Sequence, residues 1–176
     1  MLFIPTVLPG VHVVEVEAQT DERGLFGRTW CADEAQVRSL CRHFAQCSVS
    51  YNRIKGTLRG LHFQTTPHAE TKLVRCTAGA IFDVVVDLRP TSPTFQRWVA
   101  EELTAENHRA LYIPEGCAHG FQTLTDGAEV FYQITPAYQP GFSSGVRWDD
   151  PAFGIRWPDG PRALSERDRT WPDFAS

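Results

Sequence analysis

Thr57-Leu58-Arg59-Gly60-Leu61-His62-Phe63-Gln64 reads as a short β-strand, yet it carries an arginine, a glycine and a histidine where a plain core strand carries none. Strict alternation puts Leu58, Gly60, His62 and Gln64 on one face and Arg59, Leu61 and Phe63 on the other. Arg59 and His62 then share no pocket unless Gly60 carries a bulge that resets the phase. We expect a bulge or kink at Gly60. With it, His62 is a candidate general base and Arg59 a candidate anion clamp. Without it, the same residues read as a structural histidine and a surface arginine.

The flanking chain is rich in similar short stretches. Val11 to Glu17 alternates apolar and polar residues, and Leu25 to Trp30 is a second short strand after the turn Asp21-Glu22-Arg23-Gly24. Asp33 to Leu40 is the one good helix candidate, with an acidic start and helical apolar spacing. Strands are then expected at Phe44–Ser50, Leu58–Gln64, Lys72–Thr77, Ala80–Leu88, Trp98–Leu103 and Ala110–Ile113. His119–Leu124 and Glu129–Thr135 read as a hairpin about Thr125-Asp126-Gly127. Many short strands, regular turns and little helix indicate an all-β antiparallel sandwich or barrel. The Pro-, Trp- and Asp-containing tail reads as a surface wrap able to reach back over a barrel mouth.

At 176 residues, 42% hydrophobic and 22% charged, the chain suits one soluble domain spanning residues 1–176. A net charge of −4 argues against a general nucleic-acid binder, although a local arginine cluster can still hold a small anion. Cys31, Cys41, Cys47, Cys76 and Cys117 are scattered with no C-x-x-C pair, which favours free thiols in a reducing compartment. Neither a secretory signal nor a membrane-spanning apolar run is apparent, so the cytoplasm is the expected location.

Other polar residues stand out. Asp83 interrupts the apolar run Ile81-Phe82-Asp83-Val84-Val85-Val86, where an unpaired carboxylate would cost several kcal/mol, roughly. His119 is its first candidate partner. Lys72 opens a strand with Val74 and Cys76 on its face, which reads equally as a solvated lysine. Tyr132 reads by itself as a core aromatic, and Asp168 as an exposed charge in the tail. Pro114-Glu115-Gly116-Cys117-Ala118-His119 has the P-x-G-x-x-H shape of a cupin second motif. Where a cupin first motif places H-x-H, this chain has His62-Phe63-Gln64, and glutamine is a poor ligand for a borderline cation. We therefore expect the barrel shape without a metal. Gly-rich phosphate loops, G-x-S-x-G and Cys–His signatures are absent.

Taken in order, Arg59-Gly60-Leu61-His62-Phe63-Gln64, Lys72-Leu73-Val74, Asp83 to Arg89, Ser92-Pro93-Thr94-Phe95, Ile113 to Gly116, Ala118-His119-Gly120-Phe121, Trp148-Asp149-Asp150-Pro151 and Leu164 to Asp168 resemble the dTDP-4-dehydrorhamnose 3,5-epimerase family of the cupin superfamily. The resemblance spans about residues 3–172. It implies a jelly-roll barrel, no metal or organic cofactor, and a homodimer with N-terminal strands paired across the interface. The implied substrate is a nucleotide-diphospho-4-keto-6-deoxy sugar. The family's base matches His62, its supporting carboxylate Asp168, its general acid Tyr132 and its lysine near the ketone Lys72. Phosphate-contacting arginines match Arg23 and Arg59. Base-stacking aromatics match Phe26 and Tyr138, from different subunits, and Gln46 and His119 match further pocket residues.

Two positions depart from the family pattern. Many members carry, at the place of Arg28, a glutamate associated with the nucleotide base. A guanidinium only donates where a carboxylate accepts, so the base is not read in the same way. The usual pocket asparagine appears as Ser48, and the loop Asn52-Arg53-Ile54-Lys55 reads as about one residue longer. The base therefore stays open among dTDP, CDP, GDP and UDP. A same-fold ketoisomerase or nucleotide-sugar binder remains the alternative reading.

Overall fold

The computed structural model describes residues 1–174, and its strands make two facing antiparallel sheets and a separate hairpin. In chain order the elements are β1 (Leu2–Pro5), β2 (His12–Glu15), β3 (Gln19–Asp21), β4 (Gly24–Phe26), α1 (Ala32–Val37), β5 (Gln46–Asn52), β6 (Leu58–Gln64) and β7 (Thr71–Ala78). They continue with β8 (Ala80–Asp87), β9 (Trp98–Thr104), β10 (Ala110–Ile113), β11 (Cys117–Thr123), β12 (Ala128–Thr135), β13 (Ser143–Gly145) and α2 (Glu166–Arg169). One sheet has the order β1-β2-β10-β7-β12-β5 and the other β13-β6-β11-β8-β9. From β5 to β8 and again from β9 to β13, successive strands alternate between the two sheets, the arrangement of a jelly roll.

Burial on both faces explains why β8 is apolar apart from Asp83 and Asp87. Ile81 and Val85 point into the space between the sheets, beside Val74, Leu111, Phe121 and Val130. Val84 and Val86 point outward, where Leu61, Ala118 and the tail residues Val146 and Phe153 cover them. The outer face of the six-stranded sheet is covered too, with Leu73, Ala110 and Tyr112 packed under Trp30 and Phe44. A strand covered on both faces needs a continuous apolar run. Each such side chain contributes about 1.5–3 kcal/mol by burial. The inner face changes character along the strands: Val74 and Val130 belong to the apolar filling, while Lys72 and Tyr132, on the same two strands, line a cavity.

Several expectations need correction. His119–Leu124 and Glu129–Thr135 are not a paired hairpin. β11 pairs with β6 and β8, whereas β12 pairs with β5 and β7 in the opposite sheet. The turn at Thr125-Asp126-Gly127 reverses the chain while carrying it across the sandwich. The strand expected over Leu25–Trp30 stops at Phe26, and the helix expected to reach Leu40 ends at Val37, after which Ser39 adopts a positive φ of 57°. β1, β3 and β13 are additional to the expected strands: Pro5 closes the first, and the other two lack an apolar pattern. β1 pairs with β2 of the same chain. The tail wraps the outer face of the five-stranded sheet and sends α2 against β6. Among the described residues, no helix is long and apolar enough to cross a membrane.

Candidate active site

The bulge expected at Gly60 is present. Across the β6–β11 ladder, His119 faces His62 and Phe121 faces Arg59, so two steps along β11 match three along β6. Residues directly opposite in an antiparallel pair point to the same side. Phe121 belongs to the inner cluster, so the extra residue turns both Arg59 and His62 inward. Gly60 has φ +127° and precedes a cis peptide bond to Leu61. Its backbone lies against Gly120: a Cβ on Gly60 would come within 2.5 Å of the Gly120 Cα. Two facing glycines thus allow the bend.

The inward residues line a cavity of about 310 Å³. Arg59, His62, Lys72, His119, Tyr132 and Tyr138 are among its walls, as is Ser48. Gln46 stands just behind: its side-chain oxygen accepts the Tyr138 N–H at 3.0 Å, and its amide reaches the Ser48 hydroxyl at 3.5 Å. Asp168 is not in the wall. Ser165 caps α2 by accepting the Asp168 N–H at 3.1 Å, which aims the buried carboxylate at the back of His62.

Asp168 Oδ1 lies 2.6 Å from His62 Nε2, and Oδ2 accepts the Gly60 N–H at 3.3 Å. Burial opposes ionisation of Asp168, but the His62 hydrogen bond and charge, with the Gly60 N–H and Ser165, outweigh it and hold the carboxyl below its ordinary range. With Nε2–H donated to Asp168, the imidazole lone pair sits on Nδ1, which has no protein hydrogen-bond partner among the described residues. The same bulge therefore orients the base and anchors the carboxylate that supports it.

The expected Asp83–His119 pair is present at 2.7 Å, fully buried, and the His119 ring stands edge-on to Tyr132 with centroids 5.9 Å apart. Burial first, and then the Asp83 carboxylate, push the Tyr132 phenol well above the usual tyrosine range. It is thereby kept as a proton donor. Lys72 donates to the His62 carbonyl at 3.1 Å and pairs with Glu70 at 2.9 Å. Arg59 Nε donates to Asn52 Oδ1 at 2.7 Å, which fixes the guanidinium at the cavity.

Arg23, Phe26 and Arg28 are not brought to this cavity. They stand on or just beyond the β3–β4 hairpin, which pairs with no other strand. Arg23 is held by Asp21, Phe26 is 79% exposed, and Arg28 pairs with Glu34 at 3.0 Å. Among the described residues, the hairpin's strands pair only with each other, so no sheet pairing draws it to the cavity of its own chain. Sequence reasoning also missed residues. Glu70 and Arg167 both line the cavity. Glu70 was detectable by its i, i+2 spacing from Lys72. Arg167 was detectable only as the neighbour of Asp168.

The cupin-like histidines do face each other, but their Nε2 atoms are each engaged by a carboxylate. Gln64, at the first-motif ligand place, is occupied too: its oxygen accepts the Gln139 N–H at 2.7 Å, and its amide donates to the His68 carbonyl at 3.2 Å. Among the described residues, no three His, Cys, Asp or Glu side chains are grouped as metal ligands.

A family model described as dTDP-4-dehydrorhamnose 3,5-epimerase matches residues 5–176. A dTDP-4-dehydrorhamnose 3,5-epimerase of Methanothermobacter thermautotrophicus is 45% identical over 172 residues, covering 96% of this chain and 92% of that protein. The crystal structure of the Bacillus anthracis dTDP-4-dehydrorhamnose 3,5-epimerase with TDP and PPi bound superposes with a TM-score of 0.94 at 40% identity, covering 98% and 99% of the two chains. That of the Legionella pneumophila epimerase in complex with dTDP-4-keto-L-rhamnose gives a TM-score of 0.88 at 37% identity, covering 95% and 89%. Fold, motif order and these likenesses agree, and the chain belongs to the dTDP-4-dehydrorhamnose 3,5-epimerase family.

Proposed function

We propose that this chain epimerises a dTDP-4-keto-6-deoxy sugar at C3, C5 or both, through an enolate. The observation that carries the reading is the meeting of an Asp168-supported histidine and a protonated tyrosine in one cavity. The C4 ketone acidifies the neighbouring C–H bonds. His62 Nδ1 takes the proton from one face, and the C–H electron pair moves into the ring to give the enolate. The Lys72 ammonium donates to the enolate oxygen. Tyr132 then gives its proton to the opposite face of the same carbon. Imidazolium and phenolate return to their starting states by proton exchange with water.

The remaining residues bind. Arg59 and Arg167 are cations at the cavity and suit a diphosphate, with Arg59 preset by Asn52. His119, Gln46 and Ser48 surround the sugar, and Tyr138 offers a stacking face. Arg23, Phe26 and Arg28 act from the second subunit of a homodimer, whose β3–β4 hairpin would reach this cavity and stack Phe26 on the nucleotide base. An exposed aromatic on an otherwise unpaired hairpin supports that arrangement. The Arg28 guanidinium has the Glu34 carboxylate beside it, so donor and acceptor stand together for base recognition. The Bacillus anthracis and Legionella pneumophila relatives hold TDP and a dTDP-sugar, which supports thymine as the base.

The reading is tested by incubation with dTDP-4-keto-6-deoxyglucose in deuterated water. Deuterium is expected at C3, at C5 or at both, with an inverted centre wherever it is found. Absence of both label and inversion would refute it.

A further inference from the structure

Three cationic side chains, Arg59, Lys72 and Arg167, line the cavity, and among the described residues one carboxylate lines it with them, Glu70. A carboxylate is out of place in a site built for an anion, since it repels the diphosphate and any enolate. It is also largely out of water: the Glu70 and Lys72 side chains are each 7% exposed. Buried charges of this kind need a partner, and Glu70 Oε1 has one, Lys72 Nζ at 2.9 Å.

An ammonium has three N–H donors. The His62 carbonyl takes one at 3.1 Å, and the Glu70 carboxylate holds the ammonium as an ion pair at 2.9 Å. Donor capacity is left for the cavity that Lys72 lines. The flexible lysine stem would otherwise let the charge swing among rotamers. On the flanking strands β10 and β12, the register partners of Lys72 are Ile113 and Ile134, which offer no polar anchor. Among the described residues, the side chains of the cavity's other histidines and tyrosines, His62, His119, Tyr132 and Tyr138, make no hydrogen bond to Nζ.

We propose that Glu70 is a positioning residue for Lys72: its carboxylate and the His62 carbonyl together hold the ammonium so that a free N–H donor faces the oxygen on which charge develops. Base and electrophile are then tied together, because Lys72 is hydrogen-bonded to the backbone of His62 itself. This inference rests on the proposed role of Lys72 in stabilising the enolate.

The test uses the full chain and the rate of deuterium entry from solvent into dTDP-4-keto-6-deoxyglucose. Glu70→Ala is expected to lower kcat about ten- to a hundred-fold with KM changed by less than about three-fold, the scale of a misplaced catalytic group. Glu70→Leu, which keeps the volume and removes the oxygens, is expected to behave alike. Glu70→Gln keeps an oxygen acceptor for Nζ and is expected to recover most of the rate. Glu70→Ala made in a Lys72→Ala background is expected to cost nothing further, because Glu70 acts only through Lys72. The inference is overturned if Glu70→Ala leaves kcat unchanged, if Glu70→Gln is as slow as Glu70→Ala, or if Glu70→Ala costs as much without Lys72 as with it. Failure of the underlying reading is distinct: Lys72→Ala by itself would then leave the exchange rate unchanged.

Discussion

Replacing Gly60 by alanine tests how the bulge holds both fold and site. Gly60 has φ +127°, and a Cβ there would lie 2.5 Å from the Gly120 Cα and 2.9 Å from the His119 carbonyl oxygen. Gly24 supplies an internal control, because its φ is +126° and nothing lies within 4 Å of its Cβ position. Backbone strain costs about 1–3 kcal/mol at either site. At Gly60 the contact is with backbone, which cannot rotate away, and forcing it adds about 1–3 kcal/mol. Gly60→Ala is thus expected to cost about 2–6 kcal/mol and Gly24→Ala about 1–3. In a chain of this length about 1 kcal/mol lowers Tm by 2–4 °C, so the two variants should differ by about 2–12 °C. The assay is thermal denaturation followed by circular dichroism, paired with deuterium exchange into the sugar. Exchange should fall in Gly60→Ala beyond what unfolding explains, because the same bend turns Arg59 and His62 inward and donates the Gly60 N–H to Asp168. Equal Tm for the two variants, with wild-type exchange in Gly60→Ala, would refute the reasoning.

Three further outcomes follow from the geometry. Asp168→Asn keeps the shape but no longer holds Nε2–H in place, so exchange should fall by about 10²–10⁴-fold with Tm changed little; a loss below three-fold would contradict the dyad. Tyr132→Phe removes the donor on the far face, so product with an inverted centre should fall more than deuterium entry does, and equal loss of both would count against the assignment. Asp87 is buried, which opposes its ionisation, yet Arg89, Ser92 and Thr94 hold its carboxyl well below the usual range, and Asp168 is shifted the same way. Folded values below the unfolded ones mean that this stability is complete above about pH 4 and is lost as pH falls through the folded values. Tm measured from neutral pH downward should therefore stay level and then drop below about pH 4, with a shallower drop in Asp87→Asn; an identical slope in that variant would contradict the assignment.

Much of the fold was legible because local chemistry and tertiary role agreed. The apolar run from Ile81 to Val86 meant a strand covered on both faces, and Asp83 within it meant a buried partner, which proved to be His119. Gly60 was legible for a similar reason: alternation alone separated Arg59 from His62, and only a bulge reconciled them. Pairing was less legible. The turn before Gly127 reads as a hairpin, yet it sends β11 and β12 to opposite sheets, because a turn fixes chain reversal and not the neighbour. Pro5 hid β1, although the edge of a sheet tolerates proline. Asp168 could be matched to a role by resemblance, but its approach from behind β6 depends on where the tail packs. The hairpin residues Arg23, Phe26 and Arg28 show the limit most clearly, since their proposed role is completed by a second chain.

The account centres on His62 as the group that removes the proton. The most direct measurement is the rate of deuterium entry at C3 and C5 of dTDP-4-keto-6-deoxyglucose, compared between the unmodified protein and His62→Ala at equal folded concentration. The expected result is label in the first and a loss of at least about 10³-fold in the second, the scale of removing a catalytic base. Label entering His62→Ala at the unmodified rate would place the base elsewhere in the cavity and contradict the account.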